Sequence, residues 1–284
     1  MKHGFAVLLL LACAACASTP MQSAPAQASV DARMVIPEKA LQGSLVEGRV
    51  TPGSRVVYDD KSLRVAANGR FVFGVSREQT GVATLKITPP GGPTLTVNVA
   101  IVDREFPHER IDGVPESTVN PPPDIAARIE REQAEVSTAR LRDDDRTDFD
   151  VAFIWPASGR ISGVFGGQRI YNGTPKSPHS GLDVAAPKGT AIQAPAAGIV
   201  TFANPDLYLT GGTVLIDHGH GVSSNFLHMS RIDVKVGDRV EQGQVIGLVG
   251  ATGRATGPHM HWGVNWFNVR VDPQLLVDPK ANPQ

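Results

Sequence analysis

The sequence predicts a mainly β protein: a small N-terminal β-sandwich-like domain, a helical linker, and a C-terminal β-rich domain built on an antiparallel sheet. Its 284 residues include 29 glycines and 22 prolines, which divide the chain into short segments with few long helical patterns. Short alternating apolar runs, typical of half-buried strands, stand on both sides of one charged segment with helical spacing. The length is enough for about two domains.

Composition and charge narrow the class of protein. With 41% hydrophobic and 6% aromatic residues, the chain can bury one or two ordinary cores. The net charge is -1, so bulk electrostatics give no case for a nucleic-acid partner. Cys13 and Cys16 are the two cysteines, and no cysteine downstream could form a disulfide.

Residues 1–17 are predicted to be an export signal. A basic start at Lys2 precedes the apolar run Phe5–Leu11, which is too short to span a bilayer, and small residues follow. Leu10-Leu11-Ala12-Cys13 resembles a bacterial lipobox, in which the cysteine is lipidated. Cys16 is the alternative lipidation site, and plain cleavage after Ala17 is the alternative to lipidation. We expect an exported protein, either periplasmic or held at the membrane by a lipid anchor.

Residues 18–33 are rich in Ala, Ser, Pro and Gln and carry almost no large apolar side chain. Such a segment cannot bury enough surface to fold, so we expect a flexible tether. A folded domain next to a membrane would need one.

Residues 34–104 are predicted to form the small β-sandwich domain, a set of antiparallel strands. Turn signals such as Thr51-Pro52-Gly53 and Asn68-Gly69 separate the strands, and Asn-Gly is the strongest short-range hairpin signal. The paired carboxylates Asp59-Asp60 are interpreted as turn residues. We expect a spacer or binding module whose protein partner is unknown. The expected strands are Ser44–Val50, Ser54–Tyr58, Arg70–Phe73, Val82–Thr88 and Thr94–Val102.

Residues 105–150 are predicted to be a linker with one helix. Pro121-Pro122-Pro123 opens the charged segment Asp124–Arg142, where apolar residues recur near helical spacing and arginines precede glutamates by four positions. Proline at the start and acidic residues nearby are typical of a helix N-terminus. We expect a solvated helix that leans on one domain.

Residues 151–278 again predict strands separated by glycine and proline. Five polar residues of this region are spaced as two metal-ligand pairs and a lone histidine: His179 with Asp183, His259 with His261, and His228. The expected strands are Ile161–Phe165, Gly198–Ala203, Gly212–Asp217, Ser223–His228, Gln244–Val249 and His261–Asn265.

The spacing of the two pairs constrains their geometry. Side chains alternate along a strand, so His259 and His261 face the same side, about 7 Å apart. Either both bind one metal, or one binds it and the other stands beside the water that the metal activates. His179 and Asp183 would be about 13 Å apart in an extended strand, too far to share an ion. The chain must fold back between them, and Gly181 is expected to supply a bend or bulge.

The residue types point to zinc. Histidine and aspartate ligands without cysteine, with a fourth position left to water, are typical of an open catalytic zinc site rather than a closed structural one. A zinc hydrolase is therefore the leading hypothesis.

Four stretches of this region resemble the lysostaphin-type zinc metallo-endopeptidases, which cut peptidoglycan cross-bridges. They occur in the family's order, and the region of resemblance that contains them covers nearly half the chain. They are Trp155-Pro156 with Gly163-Val164-Phe165-Gly166, then Pro178–Pro187, then Asp217-His218-Gly219 through His228, and finally Gly250-Ala251-Thr252-Gly253-Arg254 through His261.

The resemblance implies a role for each of the five residues. His179 and Asp183 match the first two zinc ligands of the family, and His261 matches the third. His228 and His259 match its two catalytic histidines, which orient and deprotonate the attacking water and hydrogen-bond the developing oxyanion. Of the two alternatives for the second pair, the resemblance therefore implies that His261 binds the metal and that His259 stands beside the water.

Other polar residues of the region receive weaker predictions. Tyr171, Asn172 and Tyr208 are expected in loops beside the site, where they could line a substrate groove. His218 and His220 imitate a metal pair, but in the family's pattern their stretch is a strand end with a turn. We therefore expect structural roles for both.

The resemblance implies a zinc endopeptidase of the bacterial cell envelope, with zinc as its cofactor and peptidoglycan peptides as its substrate, cut in the stem or cross-bridge. One alternative is a non-catalytic member of the same fold that activates wall amidases, which is typical of relatives that have lost zinc ligands. Another is a zinc hydrolase of non-wall peptides. All five positions are intact here, which favours the enzyme.

Overall fold

The structure of the protein is a computed structural model that describes residues 1, 34–113, 120–278 and 281. Apart from residue 1, the predicted signal peptide with Cys13 and Cys16 and the predicted tether over 18–33 lie outside the described residues. Within the described residues, no helix combines the length and the apolar character needed to cross a membrane. The predicted mainly β fold class is confirmed.

The first seven strands form two sheets. They are β1 (Lys39–Leu41), β2 (Leu45–Arg49), β3 (Arg55–Tyr58), β4 (Lys61–Leu63), β5 (Arg70–Gly74), β6 (Val82–Thr88) and β7 (Leu95–Val102). One sheet has the order β1-β7-β6-β3-β4, and β2 pairs with β5 in the other. Buried and exposed residues alternate along β6, so one face of its sheet packs on the core. Against the expectation of purely antiparallel strands, β1 runs parallel to β7, because it pairs with a strand far along the chain rather than across a tight turn.

Two turn predictions have different outcomes. Asp59 and Asp60 have φ values of 47° and 58° and join β3 to β4, which pair as a hairpin. Asn68-Gly69 also lies in a turn, closed by a 2.8 Å hydrogen bond from Ala66 N to Arg70 O. The hairpin expected there is wrong, however, since β5 pairs with β2. Four consecutive residues of β5 are buried, so packing rather than the adjacent turn decides its partner.

The linker contains the strand β8 (His108–Ile111) and the helix α1 (Pro123–Ala139), which ends before the predicted Arg142. Arg128 Nε donates to Glu132 Oε1 at 2.6 Å, one of the expected pairs four positions apart. Glu132 Oε2 accepts from Tyr208 N at 2.8 Å, and Arg128 Nη2 donates to Asp206 O at 2.7 Å. No residue of α1 is fully buried. The helix is therefore solvated and is hydrogen-bonded to the segment around Tyr208.

Eight of the strands from β9 to β21 build the largest sheet, with the order β18-β14-β15-β16-β20-β12-β9 and β21 paired to β20, all antiparallel. Two three-stranded sheets have the orders β13-β19-β17 and β11-β10-β8. A short 3₁₀ helix spans Pro273–Leu275. The strands are β9 (Arg160–Gly163), β10 (Gln168–Tyr171), β11 (Thr174–Pro175), β12 (Leu182–Ala185), β13 (Ala191–Gln193), β14 (Gly198–Leu207), β15 (Gly211–Gly219), β16 (Val222–Met229), β17 (Arg231–Ile232), β18 (Arg239–Val240), β19 (Val245–Leu248), β20 (His259–Trp266) and β21 (Val269–Val271).

One hydrophobic core runs through the early strands and the largest sheet. Gly74 of β5 lies so close to Trp266 of β20 that a Cβ there would be 2.9 Å from the tryptophan Cβ. Arg104 Nη2 pairs with Asp272 Oδ2 at 2.7 Å, and the Asp272 side chain is buried. Strands β1–β7 therefore pack directly on the largest sheet. The domain boundaries predicted at residues 104 and 150 stay predictions.

His218 is a buried histidine within the largest sheet. Its Nδ1 lies 2.7 Å from Ala197 O and its Nε2 lies 2.9 Å from Ser224 Oγ. A carbonyl oxygen only accepts, so Nδ1 donates, and Nε2 of the neutral ring accepts from the serine hydroxyl. Complete burial lowers the pKa of His218 to about 4. The arrangement fits the structural role expected for this residue.

We expect His218 to make the free energy of unfolding fall in acid. Because its folded pKa lies below the ordinary 6.5, its contribution is complete above pH 6.5 and is lost as the pH falls towards 4. Between pH 7 and pH 5 the loss is about 2 kcal/mol. Urea titrations of the wild type and of His218→Gln at both pH values measure it, and the variant should lose less stability. An equal loss in the two proteins would contradict the assignment.

Candidate metal centre

Three of the five predicted residues meet at one point. The ligand atoms of His179, Asp183 and His261 lie within 4.8 Å of one another, and all three residues are buried. Asp183 Oδ1 lies 3.1 Å from His179 Nε2 and 2.8 Å from His261 Nδ1, and the two nitrogens are 3.1 Å apart. In the part of the chain that the structure describes, no other cluster of histidine, cysteine and acidic side chains has this geometry.

Strand pairing brings Asp183 to His261. Strands β12 and β20 run antiparallel, and Asp183 stands directly opposite His261. Directly opposite residues point to the same face of a sheet, with Cβ atoms about 5 Å apart. The same pairing places His259 opposite Ala185, further along the face.

A bend brings His179 back to Asp183. The chain bends at Gly181 immediately before β12, and a Cβ at Gly181 would lie 2.4 Å from Trp262 O. Only glycine allows this approach of the bend to β20. A bulge also occurs, but in the pairing of β12 with β9, between Asp183 and Val184. The expected fold-back at Gly181 is therefore a bend.

His228 and His259 lie beside this cluster. Their ring centroids are 4.8 Å apart, and His259 Nε2 is 3.9 Å from Asp183 Oδ1. His228 Nδ1 lies 2.8 Å from Thr252 O, and His259 Nδ1 lies 2.9 Å from Gly257 O. Because carbonyl oxygens only accept, both Nδ1 atoms carry a proton, so Nε2 is the nitrogen that is bare in the neutral form of each ring. Each ring therefore offers a free basic nitrogen.

The backbone at His228 is strained. Its φ of 62° is rare for any residue except glycine and costs about 1 kcal/mol or more. The 2.8 Å hydrogen bond from His228 N to Thr210 O holds it. Burial lowers the pKa of His228, against the opposing effect of the Thr252 carbonyl. The ring is therefore neutral near pH 7.

The electrostatics and the donor types suit a divalent cation. Burial would raise the pKa of Asp183, but the His179 and His261 imidazoles in contact with its Oδ1 hold it well below its ordinary value. Burial lowers the pKa of His261 to about 4. His179 Nδ1 lies 2.9 Å from Val164 O, a carbonyl that only accepts, so Nδ1 carries a proton and Nε2 is the nitrogen that faces the cluster. One carboxylate and two neutral imidazoles are the donors of open zinc sites.

The predicted groove residues lie on segments next to the site. Tyr171 is in β10, and Asn172 follows it in a turn with a φ of 49°. The Tyr208 ring lies beneath the Arg128 guanidinium of α1, 5.7 Å from it. Their role in a groove stays a prediction. His218 and His220 stand outside the cluster of three.

Sequence reasoning missed several residues that shape the site. Arg169 Nη2 lies 3.5 Å from Asp183 Oδ2, and the backbone carbonyls of Thr210 and Thr252 orient His228. Thr252 belongs to a stretch that the sequence singles out, but residue type gives no signal for a carbonyl. Arg169 closely follows the turn at Gly166-Gly167, and many surface arginines follow turns in this way. Only its contact with Asp183 Oδ2 distinguishes it from such surface arginines.

Comparison with known proteins shows that this chain is similar to peptidases. The family described as Peptidase family M23 matches residues 177–273. The peptidoglycan DD-endopeptidase ShyA of Vibrio cholerae is 42% identical over 104 residues, 36% of this chain and 24% of that protein. The DD-carboxypeptidase/endopeptidase Mpg of Neisseria gonorrhoeae is 44% identical over 101 residues, 36% of this chain and 23% of that protein. Each match thus spans about a quarter of the relative's length.

A solved structure is similar over most of the chain. The crystal structure of a candidate M23 peptidase from Pseudomonas aeruginosa is 34% identical, with a TM-score of 0.65. It covers 84% of this chain and 95% of that one. The similarity therefore includes the early strands as well as the largest sheet.

Proposed function

Because this chain belongs to peptidase family M23, the lysostaphin-like peptidases, we propose that it is a zinc-dependent endopeptidase that hydrolyses peptide bonds in the stem peptides or cross-bridges of bacterial peptidoglycan. The observation that carries the proposal is the convergence of three buried ligand atoms within 4.8 Å, next to two histidines with bare Nε2 atoms. The names of the relatives support the choice of peptidoglycan as substrate.

In this proposal three residues hold the ion. His179 would bind through Nε2, His261 through Nδ1 and Asp183 through Oδ1, which are the atoms that face one another. The carboxylate gives the set one negative charge. When bound, zinc supplies Lewis acidity, which polarises a carbonyl oxygen and lowers the pKa of water towards about 7.

The two other histidines would carry the proton chemistry. His228 Nε2 and His259 Nε2 are bare in the neutral rings, so either can accept a proton from the attacking water. The protonated ring can then donate to the leaving amine, and its partner can hydrogen-bond the developing oxyanion. The carbonyls of Thr252 and Gly257 hold both rings in the tautomer that this chemistry requires.

The geometry argues against the amidase-activator alternative. A non-catalytic protein has no need for three buried ligand atoms in contact or for two histidines held in one tautomer. The strained backbone at His228 also favours a catalytic role, since such strain persists where the surrounding structure serves a function.

The proposed place of action is the cell envelope, where the substrate lies. The signal peptide over 1–17 and the lipobox at Cys13, with Cys16 as its alternative, support export, and both rest on the sequence. A lipid anchor with the tether over 18–33 would keep the enzyme within reach of the wall.

Purified protein incubated with purified peptidoglycan tests the proposal. We expect about one zinc ion per chain by elemental analysis and new peptide ends by mass spectrometry of the digest. Treatment with a chelator should remove both, and added zinc should restore cleavage. Zinc-loaded protein that releases no new ends from the wall but cleaves other peptides would favour the non-wall hydrolase. Stimulation of a wall amidase without cleavage would favour the activator.

A further inference from the structure

We propose that Arg169 is a positioning residue of the metal centre, whose guanidinium holds Asp183 in the orientation that presents one carboxylate oxygen to the ion. This inference rests on the proposed function, since it assumes that Asp183 is a zinc ligand. It adds a residue from β10 to the ligands drawn from β12, β20 and the preceding bend.

The two oxygens of Asp183 have different surroundings. Oδ1 faces both histidines of the cluster, at 3.1 Å from His179 Nε2 and 2.8 Å from His261 Nδ1. Oδ2 lies 3.5 Å from Arg169 Nη2. On another side of Oδ2 is Gly163, where a Cβ would lie only 2.6 Å away. Oδ2 is therefore confined between a guanidinium and the backbone of β9, which selects the rotamer that aims Oδ1 at the histidines.

The backbone that carries Arg169 is itself fixed to the site. Gly166 N donates to His179 O at 2.9 Å, and His179 N donates to Gly167 O at 2.8 Å. Within the hairpin of β10 and β11, Lys176 N donates to Arg169 O at 2.8 Å. The segment that presents the arginine is thus hydrogen-bonded to the backbone of a predicted ligand. The same backbone hydrogen bonds therefore fix the position of Arg169 relative to the cluster of His179, Asp183 and His261.

The linker contributes to this support. Strand β8 pairs parallel with β10 over its whole length, with residue 109 opposite Arg169. The hairpin would otherwise expose that edge. A strand that precedes the zinc-binding region in sequence thus completes the small sheet from which Arg169 reaches Asp183.

Arginine suits this task. Its charge is permanent and its planar guanidinium fits a carboxylate. Carboxylates that bind metals are generally hydrogen-bonded by outer groups, and loss of such a group costs about 10–100-fold in metal affinity or activity. The 3.5 Å separation is long for a hydrogen bond, so charge contributes more than hydrogen bonding. A lysine at this position should therefore retain much of the effect.

Zinc affinity of the full chain, measured by competition with a chelating indicator, tests the proposal. We expect Arg169→Ala and Arg169→Gln to bind zinc about 10–100-fold more weakly than the wild type, and Arg169→Lys to recover most of the loss. Arg160→Ala is the matched control, because Arg160 is an exposed arginine on β9 whose guanidinium donates to Ile161 O. Its zinc affinity should be unchanged. Arg169→Gln keeps the length of the side chain if the alanine variant does not fold, and thermal unfolding in chelator should be alike for the wild type and Arg169→Gln.

Two results would overturn the inference. Unchanged zinc affinity in Arg169→Gln with a raised KM for wall peptides would make Arg169 a substrate contact instead. Unchanged zinc affinity and unchanged kinetics would leave it without a role in the site. These results differ from those expected if the proposed function itself is wrong, because the wild type would then bind no zinc or cut no wall peptide.

Discussion

Replacement of His261 by alanine is expected to remove both bound zinc and wall-peptide cleavage. His261 Nδ1 is one of three ligand atoms and lies 2.8 Å from Asp183 Oδ1, and burial keeps its ring neutral through a pKa of about 4. Loss of an outer hydrogen-bond partner already costs about 10–100-fold in affinity, so loss of a direct ligand should cost more than about 100-fold. Elemental analysis after dialysis and mass spectrometry of digested peptidoglycan measure the two effects.

His108→Ala provides the control for His261→Ala. His108 is an exposed histidine on β8, so its loss should leave zinc content and cleavage at the wild-type level. Full zinc content in His261→Ala would refute the assignment of His261 as a ligand. Full cleavage in a zinc-free His261→Ala protein would refute zinc-dependent hydrolysis.

Replacement of His228 by alanine should separate catalysis from metal binding. Its Nε2 is proposed to accept the proton of the attacking water, and such proton transfer contributes about 10²–10⁴-fold to a rate. We therefore expect kcat to fall by about that factor while the zinc content stays unchanged. Steady-state kinetics on wall peptides and elemental analysis of the same preparation test both parts.

The backbone conformation of His228 requires a second variant. Asparagine tolerates the φ of 62° better than alanine, so His228→Asn should fold as well as the wild type and show the same loss of kcat. If both variants lose zinc together with activity, His228 acts as a ligand and the proposed division of roles fails. If both keep their activity, His259 alone carries the proton.

Local patterns in the sequence were sufficient for much of the fold and for the candidate residues. The alternation of side chains in a strand is a property of the backbone itself, so the shared face of His259 and His261 could be predicted without knowing any partner strand. The distance of about 13 Å that an extended strand would place between His179 and Asp183 likewise predicted a fold-back at Gly181, as a bend or bulge. The helix of the linker was predicted from its spacing and its opening prolines, with an error only at its end.

The sequence by itself determined that the protein is mainly β and that its histidines and Asp183 have zinc-ligand types and spacings, because these depend on neighbouring residues. Only the tertiary structure decided that Asp183 stands opposite His261, that the carbonyls of Thr210 and Thr252 hold the backbone and ring of His228, and that Arg169 reaches the outer oxygen of Asp183. Such contacts join residues far apart in the chain, and packing of whole strands sets their register. The Asn68-Gly69 turn illustrates the same limit: a turn is encoded locally, but the partner of the strand that follows it is chosen by what that strand buries.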